Sequence, residues 1–449
     1  MAGARGLPEN PGTMHSSLER TIGFKDLAFL VVGVVIGSGI FIVPATVLSQ
    51  VNGDVGTALL VWFAGGILSL LGALTYGELG AMRPEAGGLY VYMRDAFGPF
   101  IAFLFGWTLF LAIGAGSVAT LANAFVGYLG AFMPVSNVAG KAVAVLMVVV
   151  LAALNIRGTR ESATVTTWAT AVKVGALVIM GIALLVAGPG LDAFGASLVP
   201  TNLTLAVLPA IGTAMIGVLW AYEGWQWVTF SGGEIVDAPR TLPRALVVGT
   251  TALILLYCLA NVGYVAALGP AEAMRSPSIA ATAVDAQFGA TAGRLVAIAI
   301  LISIFSAANA VVLTGTRVFY AMARDGLFFH RLGEVHATLR TPAFSIGAFC
   351  VWATVLAVSG TFEQLLTYVV FTGWIFYGLG AATVFVFRRK EAARVRSFSV
   401  PGYPVTPILF VAAAFALVVN TLVTQPLRGL AGMGVVLLGA PAYLVWRRR

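Results

Sequence analysis

Apolar runs long enough to cross a bilayer recur along almost the whole of this 449-residue chain, and this pattern restricts the fold more than any other feature. A transmembrane helix needs roughly 20 consecutive apolar residues. The composition agrees, because 59% of the residues are hydrophobic and 10% are charged, against roughly 25% charged in a soluble domain. The sequence therefore predicts an all-α membrane protein whose outer surface faces lipid.

We predict twelve transmembrane helices within one membrane domain, residues 24–449. A polar segment rich in Gly and Pro, residues 1–23, precedes this domain and is expected to be a cytoplasmic tail rather than a signal peptide. The predicted spans are residues 24–48, 56–82, 98–130, 140–156, 163–188, 207–231, 244–268, 291–322, 342–359, 362–388, 405–422 and 428–446.

The basic residues are distributed unevenly between the two sides of the predicted bundle. With the N-terminus in the cytoplasm, 21 of the 26 Lys and Arg residues fall on the cytoplasmic side and four on the other. Cytoplasmic loops carry such an excess, so the bias predicts that both termini are cytoplasmic. Because these residues sit in short loops between spans, the net charge of +8 does not indicate a nucleic-acid partner.

Two spans carry interruptions at corresponding positions. In span one, Gly37–Gly39 separates two apolar halves, and in span six Trp220–Gly224 places an acid and a glycine at mid-membrane depth. These are the first helices of two predicted five-helix halves, residues 24–188 and 207–388, with 405–446 as two additional helices. Matching interruptions in two halves are typical of an inverted-repeat transporter and indicate where the substrate binds.

The two interruptions offer complementary backbone groups. Freed N–H groups of Ser38, Gly39 and Ile40, at the positive end of a half-helix, are suited to a carboxylate. The carbonyls from Trp220 to Glu223 are suited to an ammonium group. Together they match the invariant part of an α-amino acid. The alternative for the glycines of span one is a small-residue face that lets helices pack closely.

Two charged residues stand well inside predicted spans, away from the basic ends. Glu223 is costly at mid-membrane depth, so it either handles a ligand or a proton, or caps the second half-helix of span six. Lys173 is the basic residue placed near the middle of a span, and this central position makes snorkelling awkward. Its ammonium is suited to replacing a bound cation between the carbonyls of span one and the polar side chains of span eight, Ser303, Ser306 and Asn309.

Other kinds of chemistry find no support in the sequence. It contains no metal-ligand cluster, phosphate-binding loop or nucleophile–base arrangement, so we expect no cofactor, no metal and no enzymatic activity. Cys258 and Cys350 lie in apolar runs and indicate no disulfide framework.

Several motifs, in the right order over spans one to eight, resemble the amino acid–polyamine–organocation (APC) superfamily, and most of all its L-type amino-acid transporter (LAT) branch. The motifs are Gly33–Phe41 with Pro44, Tyr76–Gly80, Gly87–Tyr92, Ala221–Trp225, Glu234 with Pro239–Pro243, and Thr316–Tyr320.

This resemblance implies a LeuT-type fold of 5+5 inverted repeats with helices one and six broken. It also implies sodium-independent amino-acid transport by alternating access, by exchange or coupled to protons. In that family the carboxylate binds at positions matched by Ser38 and Gly39, and a bulky residue at the position of Trp220 is the outer gate.

The resemblance also assigns roles residue by residue. The carbonyls matched by Val35, Trp220 and Glu223 bind the amino group, and a lysine matched by Lys173 takes the place of sodium. The substrate-binding residues expected from breaks and resemblance together are Val35, Ile36, Gly37, Ser38, Gly39, Ile40, Trp220, Ala221, Tyr222, Glu223, Gly224 and Asn309, with Lys173 and Ser306 as the sodium-site substitute.

The chain departs from the animal LAT members in two places. They carry a cysteine between spans three and four that links to a glycoprotein, whereas residues 131–140 contain none. We therefore expect a single-chain prokaryotic type in the plasma (inner) membrane, without a disulfide-linked accessory subunit. Glu223 stands where animal members often carry glycine, which keeps open a polyamine or cationic amino-acid carrier. An ion channel is a further alternative, although no filter-like loop is present. The substrate, the form of coupling and the oligomeric state stay open.

Overall fold

The described part of the chain is almost entirely helical in the computed structural model. It comprises residues 20–130, 132–201, 203–339 and 341–446, without the side chains of 159–163. Within these ranges the extended pairing is limited to two isolated bridges, Ile22–Ile235 and Ala86–Ser231. Most of the predicted N-terminal tail, Arg340 and the arginines 447–449 used in the charge count lie outside the described residues.

Fifteen helices of the described ranges are numbered here in chain order. They are α1 Phe24–Val35, α2 Gly39–Gln50, α3 Val55–Met82, α4 Leu89–Phe97, α5 Pro99–Leu129, α6 Asn137–Arg157, α7 Thr159–Ala187, α8 Leu208–Ala221, α9 Ala238–Ala273, α10 Ile279–Phe288, α11 Ala290–Arg324, α12 Ala343–Ser359, α13 Phe362–Lys390, α14 Val405–Thr424 and α15 Pro426–Trp446.

By length and apolar composition, nine of the described helices are able to cross a membrane, and ten when the bent pair α1–α2 counts as one span. The remaining two predicted spans, 207–231 and 342–359, correspond to the shorter apolar helices Leu205–Ala221 and Ala343–Ser359. The structure therefore confirms a multi-pass, all-helical architecture. Between the spans, α4 and α10 lie in segments that the sequence places outside the membrane.

The predicted interruption of span one is present. Helix α1 ends at Val35, α2 begins at Gly39, and the two axes differ by 44°. This broken pair is central, because α1 packs against α7, α9 and α11, while α2 packs against α8. Helices from both predicted halves thus surround this sharply bent span.

The second half of span six differs from the expectation. Helix α8 ends at Ala221, and the chain continues as a 3-10 helix over Trp225–Phe230 instead of a second α-helical half. The turn tightens at its start, since the N–H of Glu223 bonds to the carbonyl of Trp220 at 3.1 Å. Gly224 then takes a φ of +125°, a conformation that side-chain-bearing residues rarely adopt.

One end of the bundle, called here the basic end, is closed by ion pairs. It carries the C-terminal ends of α3, α11 and α13. Glu78 is fully buried there, forms ion pairs with Arg388 at 2.6 Å and Arg396 at 3.3 Å, and accepts a hydrogen bond from the N–H of Val400 at 2.7 Å. A buried carboxylate needs such partners, so the segment after α13 is fastened onto the end of α3.

A second group of ion pairs lies beside the first at the basic end. Arg83, directly after α3, bonds to Asp95 at 3.1 Å and to Glu391. Arg394 also bonds to Glu391 at 2.7 Å, and these two guanidinium groups hold the pKa of that carboxyl below its usual value. Arg94 reaches Asp325, just after α11, at 2.8 Å. Four elements are joined at this surface by charge.

Candidate functional site

A small cavity lies where the break between α1 and α2 meets the end of α8. Its volume is about 20 Å³, enough for a water molecule but not for an amino acid, so its walls must move apart before such a ligand enters. The residues that line it are Val34, Val35, Gly37, Ser38, Gly39, Ser117, Leu121, Trp220, Glu223, Gly224, Trp227 and Val311.

The N–H groups expected to bind an anion are unused by the backbone. Among the described residues, no backbone carbonyl accepts a hydrogen bond from Ser38, Gly39 or Ile40. They stand at the start of α2, where the first N–H groups of a helix have no intrahelical partner and the dipole is positive. Ser38 and Gly39 line the cavity, whereas Ile40 does not.

The carbonyls at the two breaks are partly occupied by the protein itself. The Tyr257 hydroxyl donates to Ala221 at 3.0 Å and lies 3.3 Å from the Val35 carbonyl. No hydrogen bond to the carbonyls of Tyr222 or Glu223 is found in the described ranges. Tyr257 was not among the predicted residues, because a tyrosine within an apolar run carries no signal of a polar contact.

Lys173 occupies the place between α7 and the broken span. Its ammonium donates to the carbonyls of Gly33 at 2.7 Å and Ile36 at 2.8 Å, and the side chain is buried. The Ser303 hydroxyl of α11 donates to the same Ile36 carbonyl at 3.0 Å. The break leaves these carbonyls without their helical partners, and α7 and α11 supply replacements.

Two residues predicted to act here lie differently from the expectation. Ser306 is buried, but its hydroxyl finds no hydrogen-bond partner among the described residues, and Ser303 makes the contact with span one. Asn309 does not line the cavity. It accepts from Asn155 at 2.8 Å and donates to Thr166 at 3.0 Å. In this conformation Asn309 therefore ties α6, α7 and α11 together.

Glu223 faces the cavity and does not cap a half-helix. Its Oε1 accepts hydrogen bonds from three side chains, the Gln226 amide at 2.7 Å, the Trp227 indole at 3.1 Å and the Tyr377 hydroxyl at 2.5 Å. The following 3-10 helix has no side-chain cap. These bonds orient the carboxylate within the cavity wall and link it to α13.

The close approach of the two broken spans depends on glycine. A Cβ at Gly39 would lie 2.4 Å from the Cα of Ala221, and one at Gly224 would lie 2.6 Å from a methyl of Val34. Tyr222 turns away from the cavity, and its ring packs on Tyr257 with centroids 4.9 Å apart. Small residues thus bring the two sets of backbone groups together.

Metal binding was not expected here. Within the described ranges, no three His, Cys, Asp or Glu side chains are grouped closely enough to hold a metal ion.

Comparison with known proteins gives consistent matches over nearly the full chain. Residues 22–437 match the protein family described as Amino acid permease. The serine/threonine exchanger SteT of Bacillus subtilis (strain 168) is 31% identical over 445 residues, 97% of this chain and 99% of the relative. The b(0,+)-type amino acid transporter 1 of Mus musculus is 31% identical over 92% of this chain and 84% of its own. The large neutral amino acids transporter small subunit 2 of Homo sapiens is 31% identical over 96% of this chain and 81% of its own.

A bulky residue at position 39 tests whether the close contact of the two breaks is needed. We expect Gly39→Val to lower amino-acid uptake in proteoliposomes at least tenfold, because the new side chain pushes α2 away from the backbone of Ala221. Gly347→Val is the matched control, since a Cβ there meets nothing within 4 Å. Normal uptake by a monodisperse Gly39→Val protein would contradict the prediction.

Proposed function

Because the chain belongs to the amino acid permease family, we propose that it carries amino acids across the plasma (inner) membrane by alternating access. The observation that carries the proposal is the pairing of N–H groups at Ser38 and Gly39 with the carbonyl of Glu223 around one cavity, none of them bonded to another backbone group of the described residues. An α-carboxylate and an α-ammonium are complementary to these groups. Its relatives are named as exchangers and transporters, not as enzymes.

The membrane arrangement that we propose has twelve spans. It adds the shorter helices α8 and α12 to the ten long or paired spans. Residues 24–188 and 207–388 form two inverted halves of a LeuT-type fold, followed by 405–446. The excess of Lys and Arg supports a cytoplasmic position for the basic end and both termini.

The substrate class that we propose is small neutral amino acids, moved by exchange. One relative is a serine/threonine exchanger, and Ser117 and Val311 on the cavity walls suit a small, uncharged side chain. Trp220 acts as the gate on the side away from the basic end, where its indole lies 3.4 Å from the Ser38 hydroxyl and its ring meets Phe362 edge-on. We expect the chain to work without a disulfide-linked subunit.

A bound metal cation is unnecessary in this proposal, because the ammonium group of Lys173 stabilises the broken first span. Its ammonium contacts two carbonyls that a bound metal ion would otherwise coordinate. This contact supports transport that is independent of sodium.

A second candidate is a carrier of cationic amino acids or polyamines. The observation that favours it is the Glu223 carboxylate on the cavity wall, where Oε1 takes all three side-chain donors. The other oxygen remains for a ligand ammonium. An ion channel has no such support.

Exchange is tested with purified protein in proteoliposomes. We expect rapid uptake of radiolabelled serine into vesicles preloaded with unlabelled serine, and little uptake into empty vesicles, because an exchanger changes sides mainly when loaded. Protein-free vesicles provide the background. Equal uptake into empty vesicles under an inward proton gradient would show proton symport instead of exchange. The absence of saturable uptake for every amino acid tested would overturn the proposal.

The role of Glu223 separates the two substrate classes. We expect Glu223→Gln to keep serine exchange within about threefold of wild type, because the amide oxygen still accepts from the neighbouring donors. Glu363→Gln, at the exposed start of α13, is the matched control. Competition by arginine that is strong in the wild type and lost in Glu223→Gln would establish the cationic carrier instead.

The role of Lys173 is tested by removing its ammonium group and by replacing sodium in the buffer. We expect serine exchange to be equal in sodium and choline buffers of the same ionic strength and pH, and Lys173→Ala to lower it at least tenfold because the Gly33 and Ile36 carbonyls lose their donor. Lys141→Ala, on the exposed start of α6, is the control. A strict requirement for sodium would refute the substitution of sodium by lysine, as would full activity of Lys173→Ala.

A further inference from the structure

An open groove lies on the lipid-facing surface, away from the cavity between the broken spans. It encloses about 510 Å³ between the start of α5 and the end of α15, within the roughly 300–1,000 Å³ typical of small-molecule sites. Its walls are Phe97, Pro99, Phe100, Ala440, Tyr443 and Leu444.

The groove is apolar and exposed. Phe97, Phe100 and Leu444 are 37%, 39% and 57% exposed, while Tyr443 is buried beneath them and meets the Phe100 ring at 5.2 Å. Gly98, with φ +91°, turns the chain sharply from α4 into α5 and leaves Phe97 on the rim. The floor is therefore built by packed rings, and the rim is open to an apolar ligand.

The position of the groove fixes its depth in the membrane. Helix α5 begins at Pro99 and α15 ends at Trp446, so the groove lies at the ends of two apolar spans. Tyr443 and Trp446 stand at this level, where aromatic side chains mark the boundary between acyl chains and headgroups. A bilayer lipid meets this surface with its acyl chain on one side and its headgroup on the other.

A cation stands at the headgroup end of the groove. The Lys390 ammonium lies 3.3 Å from the carbonyl of Ala96, one residue before Phe97. The Lys390 side chain is exposed, and none of the described carboxylates forms a salt bridge with it. Glu391, the next residue in sequence, is engaged by Arg83 and Arg394, and Asp95, beside Ala96, is engaged by Arg83 and Arg94. An unneutralised ammonium beside an apolar groove is complementary to an anionic amphiphile.

We propose that this groove binds an anionic phospholipid of the surrounding bilayer, with an acyl chain against Phe97, Phe100 and Leu444 and its headgroup at Lys390. The site is independent of the transport proposal, because it lies outside the cavity and needs no substrate.

The test is native mass spectrometry of the full chain in detergent, titrated with phosphatidylglycerol or with phosphatidylcholine of the same acyl chains. We expect phosphatidylglycerol to bind at least fivefold more tightly. Lys390→Gln should lower that affinity about fivefold, the ratio that roughly 1 kcal/mol per basic residue near a membrane surface corresponds to. Ala440→Trp should remove binding by filling the groove. If that variant does not fold, Phe97→Ser is tested in its place.

Arg244→Gln is the matched control, since Arg244 is an exposed cation at the start of α9, at the basic end but away from α15. An equal loss in Arg244→Gln and Lys390→Gln would reduce the effect to general surface charge and overturn the site. Equal affinity for the two lipids would also overturn it. A dimer that Ala440→Trp dissociates would assign the groove to a second copy of the chain instead.

Discussion

The need to satisfy backbone groups inside a bilayer determines the arrangement around the broken first span. A break in a membrane helix exposes N–H and C=O groups that lipid cannot bond, so other parts of the protein must meet them. The carbonyls of Gly33 and Ile36 are met by Lys173 and Ser303, and that of Val35 lies near Tyr257. Three helices, α7, α9 and α11, are thereby held against one short segment of unwound chain.

The partners at the breaks are distributed unequally between donors and acceptors. Side-chain donors meet the carbonyls of Gly33 and Ile36, whereas no backbone carbonyl of the described residues accepts from the N–H groups of Ser38 and Gly39. The break of span one is thus satisfied at these carbonyls and left open at its N–H groups. Such an imbalance selects an anionic group, which agrees with an amino-acid carboxylate and with the narrow spacing set by Gly39 and Gly224.

The sequence was informative where a residue is unusual for its surroundings. A glycine pair in an apolar run predicted the break of span one. A lysine in the middle of span five predicted a contact with the carbonyls of span one. Ser303 was one of three polar candidates on span eight, and only the packing of the helices distinguishes it from Ser306. Tyr257 is ordinary in an apolar helix, and its importance arises from which helices pack together. Sequence also favoured an α-helical second half of span six, but Gly224 and the tight turn before it lead into a 3-10 helix. The helix propensity of this segment does not take into account how the segment packs against Val34 and α13.

The ion pairs at the basic end give the two sides of the bundle different sensitivities to their solution. Arg83, Arg94 and Arg388 bridge separate elements there, whereas the contact of Trp220 with Phe362 at the opposite end is aromatic. Salt screens partly exposed charges strongly and hardly changes the packing of rings. In the alternating-access cycle proposed above, we therefore expect the energy barrier for opening the basic end to depend on ionic strength, and that for opening the Trp220 end to depend on temperature through burial of apolar surface. A cell could thus alter the balance between its inward-facing and outward-facing populations without changing a residue.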